Sequence, residues 1–475
     1  MIENLLYFSP ILLLSVGSVF LALCHWRDVS VGMTFRIAKI FTILSFCAAI
    51  IFYNRSAFPA LMFVNKFSLL FLTITYIAMI GTLFLSKKWY AGMNMNGALF
   101  CCGLLLSGIS GFILITSQHL LLTAGGMYLL LACNYLLFIR ADKKKDVYLS
   151  SKLYAVSAVF VSLFILVLVY GVFEQQAGFD YHSLSIYFEN ETENTVAFMI
   201  AIGLTLVFVF LLGLAPLHFW YTETTGQIVL PVFTYFTLIP ISTCWGAFIK
   251  LNTYVLSAME PRLILFYQGL GVLTMFVGAI GACSGKNIRK IFAYGAVYQQ
   301  GIVFLMLQHF TSEALNTAFI YLNIYILAMY GICSCLYGLK NKGEYLFMLS
   351  DFEGTAFRRP YLAFAMTIFL FSLIGFPPFL GFLGLFSVVN NLVLHNNFYQ
   401  LAFLLIALVT LTYSYLQIIK TLYFENSRVT FDRVDRGIYM VVLLTVLVMM
   451  FLVLQPHFLV QNVEWILEGV LTWRQ

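Results

Sequence analysis

Apolar residues fall along this chain in long runs, not in the alternation of strands or the single stripe of a surface helix. The runs cover residues 4–24, 37–53, 67–86, 97–116, 119–139, 154–173, 195–216, 229–249, 265–284, 291–307, 316–338, 362–393, 401–419 and 438–455. Most are close to the ~20 residues an α-helix needs to cross the ~30 Å hydrocarbon core of a bilayer. Only helices and closed barrels satisfy their backbone polar groups in lipid. The pattern therefore predicts an all-α polytopic fold with fourteen membrane-spanning helices.

Two runs are interrupted in matching ways. The seventh ends in "GLAPLHFW" (Gly213 to Trp220), and the twelfth contains "GFPPF" (Gly375 to Phe379). Glycine and proline here predict breaks at Pro216 and at Pro377-Pro378, because proline lacks the donor a helix interior needs. The twelfth run is also too long for one crossing: about 32 residues at 1.5 Å each reach roughly 48 Å. An odd number of spans separates the two breaks, so their helices run in opposite directions. Broken helices at corresponding places in opposite orientation are the signature of an inverted repeat.

Composition strengthens the membrane reading. Hydrophobic residues make up 62% of the chain, charged residues 10%, and the mean hydropathy is +0.94. The net charge of +6 matters through its distribution. With the N-terminus outside, twenty lysines and arginines fall on inner loops and five on the outer side, Lys250 among the five. Positive residues collect on the cytoplasmic side, so both termini are predicted outside. The first run has no cleavage site of small residues behind it and reads as a retained helix, not a signal peptide. The acidic loop 174–194 reads as a solvated outer loop; its Asn190-Glu191-Thr192 matches a glycan-acceptor pattern but carries no meaning in a bacterium or mitochondrion. The nine cysteines lie almost entirely in apolar runs, without zinc-type spacing or nearby histidines, and read as small apolar side chains. No nucleotide, flavin or metal motif is present, so no cofactor and no catalytic residue is expected in this chain, nor a nucleic-acid partner.

"LLGLAPLHFWYTETTG" (Leu211 to Gly226), "NIRKIFAYGAVYQQG" (Asn287 to Gly301) and "FLFSLIGFPPFLGFLGLF" (Phe369 to Phe386) resemble the antiporter-like membrane subunits of respiratory complex I, and within them the subunit N branch. The resemblance implies two inverted five-helix repeats with discontinuous helices 7 and 12. It places these at 97–250 and 265–421, after a three-helix segment at 1–96 and before a C-terminal helix and tail at 437–475. It also implies proton translocation through a mid-membrane line of lysines, a glutamate and histidines, with other integral membrane subunits and lipid as partners and a bacterial inner membrane as the location ahead of a mitochondrial one.

This chain departs from that pattern where the charge should be. Leu211, Ile241 (after Pro240) and Leu385 stand at the three lysine positions. Tyr128 or Gly126 stands at the glutamate position of the fifth helix, and Gln299 replaces the tenth-helix histidine. His218, Glu223, Lys250, Tyr128, Gln299 and the hinge prolines Pro216, Pro377 and Pro378 are left as candidate proton-path or hinge residues. Arg289 and Lys290 read as interfacial anchors, His218 as a donor to a free carbonyl, and Glu223 as facing the inner water or capping a short helix. Tyr294, Tyr298 and Gln300 are further candidates to line water. The expectation is a non-catalytic, proton-translocation-related subunit that is largely structural or coupling. The alternatives are a scaffold subunit of another membrane assembly, or a proton/cation antiporter subunit.

Overall fold

The computed structural model describes residues 8–51, 56–57, 61–93, 95–139, 145–425 and 430–458. Arg55, Arg140, Lys143, Lys144, Arg428 and Arg474, which enter the charge count, lie outside them. The described residues form eighteen α-helices, two short 3-10 turns and two small hairpins. Twelve helices are long and apolar enough to cross a membrane. Ile288–Met306, together with the two short helices Pro360–Ile374 and Leu380–Leu394, accounts for the other two spans read from the sequence.

By their contacts, the described residues divide into two compact units, 8–212 with 238–263, and 213–237 with 264–458. The first unit begins with α1 (Ser9–Trp26), α2 (Val31–Ile51), α3 (Lys66–Gly92) and α4 (Ala98–Thr116). It continues with α5 (Leu120–Ile139), α6 (Lys145–Glu174), the short α7 (Tyr181–Asn190) and α8 (Thr195–Leu212). Helix α4 is the hub, packed against α1, α2, α3 and α5. Its Gly103, Ser107, Gly108, Ser110 and Gly111 are all buried, and small residues let neighbouring helices approach closely where lipid offers no hydrophobic drive. On α6, by contrast, Val156, Phe160, Leu163 and Val167 are all exposed at helical spacing, the lipid-facing stripe expected of a peripheral span.

Local chemistry sets the helix starts. Asn65 caps α3 in a reciprocal box with Ser68, and Asp180 caps α7 by accepting from the Ser183 amide at 2.9 Å. Burial pushes the Asp180 carboxyl up, but its hydrogen bonds with Ser183 outweigh this and hold it below the usual carboxylate range.

Short α9 (Phe219–Thr225) precedes α10 (Leu230–Tyr254), a helix whose most apolar stretch is entirely buried although it carries Pro240 in its interior. After α11 (Glu260–Cys283), the second unit is built from α12 (Ile288–Met306), α13 (Ser312–Gly338), α14 (Thr355–Arg358), α15 (Pro360–Ile374) and α16 (Leu380–Leu394). It closes with α17 (Phe398–Phe424) and α18 (Arg436–Leu454). Helix α13 is central, with α12, α15, α16 and α18 packed around it. Its lower end runs into the hairpin Lys340–Asn341/Glu344–Tyr345, where Asp432 accepts from the Lys342 and Gly343 amides at 3.1 and 2.7 Å.

Candidate functional site at two broken helices

Both predicted interruptions are present. Helix α8 stops at Leu212, and the chain turns through Gly213 (φ 68°) and a cis Ala215–Pro216 bond before α9 begins at Phe219. The expected seventh span ran to 216; the left-handed Gly213 ends the helix four residues sooner. Helix α15 stops at Ile374, followed by Gly375 (φ 82°), a cis Pro377–Pro378 bond and the start of α16 at Leu380. Each left-handed turn needs glycine, because a side chain in that region clashes with its own carbonyl. At Gly213 a Cβ would also meet the Tyr221 side chain at 2.7 Å.

Helix α12 links the two breaks within the second unit. At its start, Asn287 caps the helix and donates its side-chain amide to Gly226 O at 2.7 Å. Arg289 donates to Ile228 O and lies over the Phe347 ring. Lys290 pairs with Glu223 at 2.7 Å. These contacts hold the loop after α9, so Arg289 and Lys290 act as tethers here, and Glu223 sits within α9 as a paired side chain. His218 lies at the start of α9, its ring 6.2 Å from that of Tyr294, and its Nδ1 is buried with no hydrogen-bond partner among the described residues. The ring does meet the Pro216 backbone as a hydrogen-bond partner, the expected contact with a free carbonyl of the broken segment.

About 13 Å further along α12, nine residues at 1.5 Å each, Gln299 reaches the second break. Its Nε2 donates to Leu373 O at 2.8 Å, and its Oε1 accepts from the Tyr321 hydroxyl. A cavity of about 350 Å³ lies elsewhere, in the first unit, and is lined by apolar side chains apart from Thr123. The cavity at the second break, about 250 Å³, is different: Gln299, Tyr321, Tyr325 and Ser372 face it beside Gly375, Gly381 and Leu385. The Tyr325 hydroxyl is buried without a partner among the described residues, a chemistry that suits ordered water. Helices α15 and α16 meet so tightly that a Cβ on Gly381 would stand 1.6 Å from Ser372 O. Leu385 lies against the turn, its Cδ2 2.7 Å from where a Gly375 Cβ would be. The polar side chains here are thus an amide, two phenols and a hydroxyl, with no lysine, histidine or carboxylate among the lining residues.

In the first unit the candidates do not converge. Tyr128 donates to Ser162 O at 2.8 Å and fastens α5 to α6. Lys250, counted among outer-side charges, is 5% exposed within α10. Its Nζ donates to Ser117 O at 2.5 Å and Ile115 O at 3.2 Å, at the C-terminal end of α4, and lies 5.9 Å from the Tyr181 ring centre. An ammonium at a helix C-terminus is favourably placed against the helix dipole. Ser117, Thr123 and Tyr181 continue from it as a chain of hydroxyls at 2.9 and 2.7 Å. Tyr321, Tyr325 and Ser372 carry the second-break cavity and were not singled out from the sequence; the i, i+4 spacing of the two tyrosines on α13 was the available signal.

A bundle of long apolar helices, two of them interrupted beside polar side chains, defines a polytopic helical membrane protein with discontinuous helices. The chain belongs to the family described as NADH:quinone oxidoreductase/Mrp antiporter, TM, which matches residues 117–414. It is 28% identical over 250 residues to NADH-quinone oxidoreductase subunit N of Pelagibacter ubique, covering 50% of this chain and 52% of that protein. The chain thus spans about half the length of that relative, and 45% of its counterpart from Parvibaculum lavamentivorans. Among solved structures it is similar to a chain of respiratory complex I from Thermus thermophilus, with a TM-score of 0.76 and 17% identity over 95% of this chain and 98% of that one. It is similar also to a chain of the membrane-bound sulfane sulfur reductase, an archaeal respiratory membrane complex, with a TM-score of 0.86 and 17% identity over 99% of both. At these identities the structural likeness is one of fold.

Proposed function

We propose that this chain is a membrane-arm subunit of an NADH:quinone oxidoreductase-like assembly, set in a bacterial inner membrane and bound to other integral membrane subunits. In this reading it does not carry protons by a lysine relay and serves as a structural and coupling element. The observation that carries the proposal is Leu385 against the Gly375 turn, beside a cavity whose polar side chains are neutral. A proton relay needs a group that titrates near the working pH, and a tyrosine, with its pKa near 10 in water, is a poor one. Three of the candidate ionisable side chains are bonded elsewhere: Lys250 to two carbonyls, Glu223 and Lys290 to each other. The matching turns at Gly213 and Gly375 support two inverted five-helix repeats at 97–250 and 265–421.

The test is to replace His218, Glu223 and Lys250 singly in the intact assembly and to measure proton translocation in sealed vesicles. Unchanged pumping in all three supports the proposal. Pumping abolished in any one, with the complex still assembled, overturns it. A second reading, a coupling subunit of a different respiratory membrane assembly, draws support from the fold likeness to the sulfane sulfur reductase chain over 99% of its length. Co-purification decides between them: NADH-oxidising subunits favour the first reading, other redox subunits the second.

A further inference from the structure

Helices α15 and α18 pack against each other, and their starts are tied together. Arg359, the N-cap of α15, donates from its guanidinium to Phe431 O at 3.0 Å and Asp432 O at 2.5 Å, a few residues before α18 begins at Arg436. The segment between is pinned as well, since a Cβ on Gly338 would meet Leu362 Cδ1 at 2.8 Å and Val434 Cγ1 at 3.4 Å. Both helices thus rise from one patch, around which Arg358, Arg433 and Arg436 are exposed. None of these three arginines pairs with a carboxylate among the described residues. The carboxylates of the 430–436 segment accept from backbone amides, Asp432 from Lys342 and Gly343, and Asp435 from Gly437.

The charge here has the wrong sign for the helices that carry it. A helix N-terminus is partly positive and favours anions, yet apart from the Asp435 cap neither α15 nor α18 has an acidic residue in its first turn, and both begin beside arginine. The preference for positive residues on the inner side is met anywhere in a loop; it does not require them at two neighbouring helix starts. Below the arginines the surface turns apolar. Tyr361 and Phe364 on α15 are 78% and 64% exposed, and Met440 and Leu443 on α18 are 71% and 58% exposed. We propose that this patch binds an anionic phospholipid, with its phosphodiester held by Arg358, Arg433 and Arg436 and its acyl chains lying along α15 and α18. A guanidinium fork matches phosphate oxygens, and basic pockets between membrane helices on the inner side suit anionic headgroups. Free phosphate would leave the apolar strips uncovered, whereas a lipid meets the charge and the strips together. A lipid held there braces the start of α15, the helix that ends at the Gly375 turn. The site is independent of how the chain handles protons.

The experiment reconstitutes the intact assembly in nanodiscs of phosphatidylcholine doped with phosphatidylglycerol that carries a photoactivatable group on one chain. A phosphatidylcholine analogue with the same group is the control, and labelled peptides are mapped by mass spectrometry. The expected result is stronger labelling by phosphatidylglycerol at the starts of α15 and α18, falling to the control level in the double variant Arg358→Gln, Arg436→Gln. Each arginine removed singly is expected to lower the preference about fivefold. Equal labelling by the two lipids, or an unchanged preference in the double variant, would overturn the proposal. Absence of labelling by either lipid would show the patch covered by another subunit, and labelling abolished by inorganic phosphate would show a site for soluble anions; either result overturns it too. Should the double variant fail to assemble, Arg433→Gln at its exposed position is used alone, and an undiminished preference there overturns the proposal equally.

Discussion

The two broken helices share a backbone plan and differ in what surrounds them. After Gly213 the chain is held by ionic contacts: Glu223 meets Lys290 at 2.7 Å, and Arg289 reaches Ile228 O. After Gly375 it is held by contacts between neutral groups: Gln299 to Leu373 O, Tyr321 to Gln299, and the Gly381 amide to Ser372 Oγ at 3.0 Å. The first set is partly exposed, with Lys290 and Glu223 side chains 34% and 42% exposed. The second is buried. Charge is cheap where side chains are exposed and costly where they are buried, and the difference between the breaks follows that gradient. The left-handed glycine turn makes the break; the charge beside it is separable.

The comparison is broken most severely at the buried turn. Gly381→Ala forces a methyl group into Ser372 O, where an ideal Cβ would stand 1.6 Å away, and is expected to cost about 3 kcal/mol or more, read as lost assembly or a lower Tm in detergent. Leu385→Lys puts an ammonium beside the neutral cavity at a cost of about 3 kcal/mol; Tm falls while translocation stays unchanged, and a rise in proton yield would show that the cavity still communicates with both membrane faces. Lys250→Met leaves the Ile115 and Ser117 carbonyls without their donor and is expected to cost about 2 kcal/mol, with pumping unaffected. Lys290→Met, at the half-exposed pair, is expected to change stability by about 0.5 kcal/mol or less, an effect that vanishes in high salt.

Legibility followed the same gradient. Span positions could be read because bilayer thickness imposes a length on every run, and the breaks because proline and glycine act on their own backbone. Gln299 was legible as an amide in an apolar helix. Its partners were not: Tyr321 and Tyr325 stand among 28 tyrosines, and only the packing of α13 on α15 and α16 makes them part of the cavity. The burial of Lys250 was not legible, because its apolar run ends at 249 whereas α10 continues to Tyr254. The carbonyls that satisfy it come from a segment far away in the chain.

Helix α10 has a consequence for how the protein is made. It is the least apolar of the twelve long spans, yet its most apolar stretch ends up wholly enclosed by protein. During synthesis it must enter lipid before all of its neighbours exist. Its hydroxyls are prepared for that interval: Thr234 donates to Leu230 O at 2.9 Å, and Thr237 to Phe233 O, Ser242 to Ile239 O and Thr253 to Ile249 O, each at 3.0 Å. These four hydroxyls are satisfied by their own helix, so the segment reaches the bilayer with those groups already neutralised and can wait there for its partners to arrive.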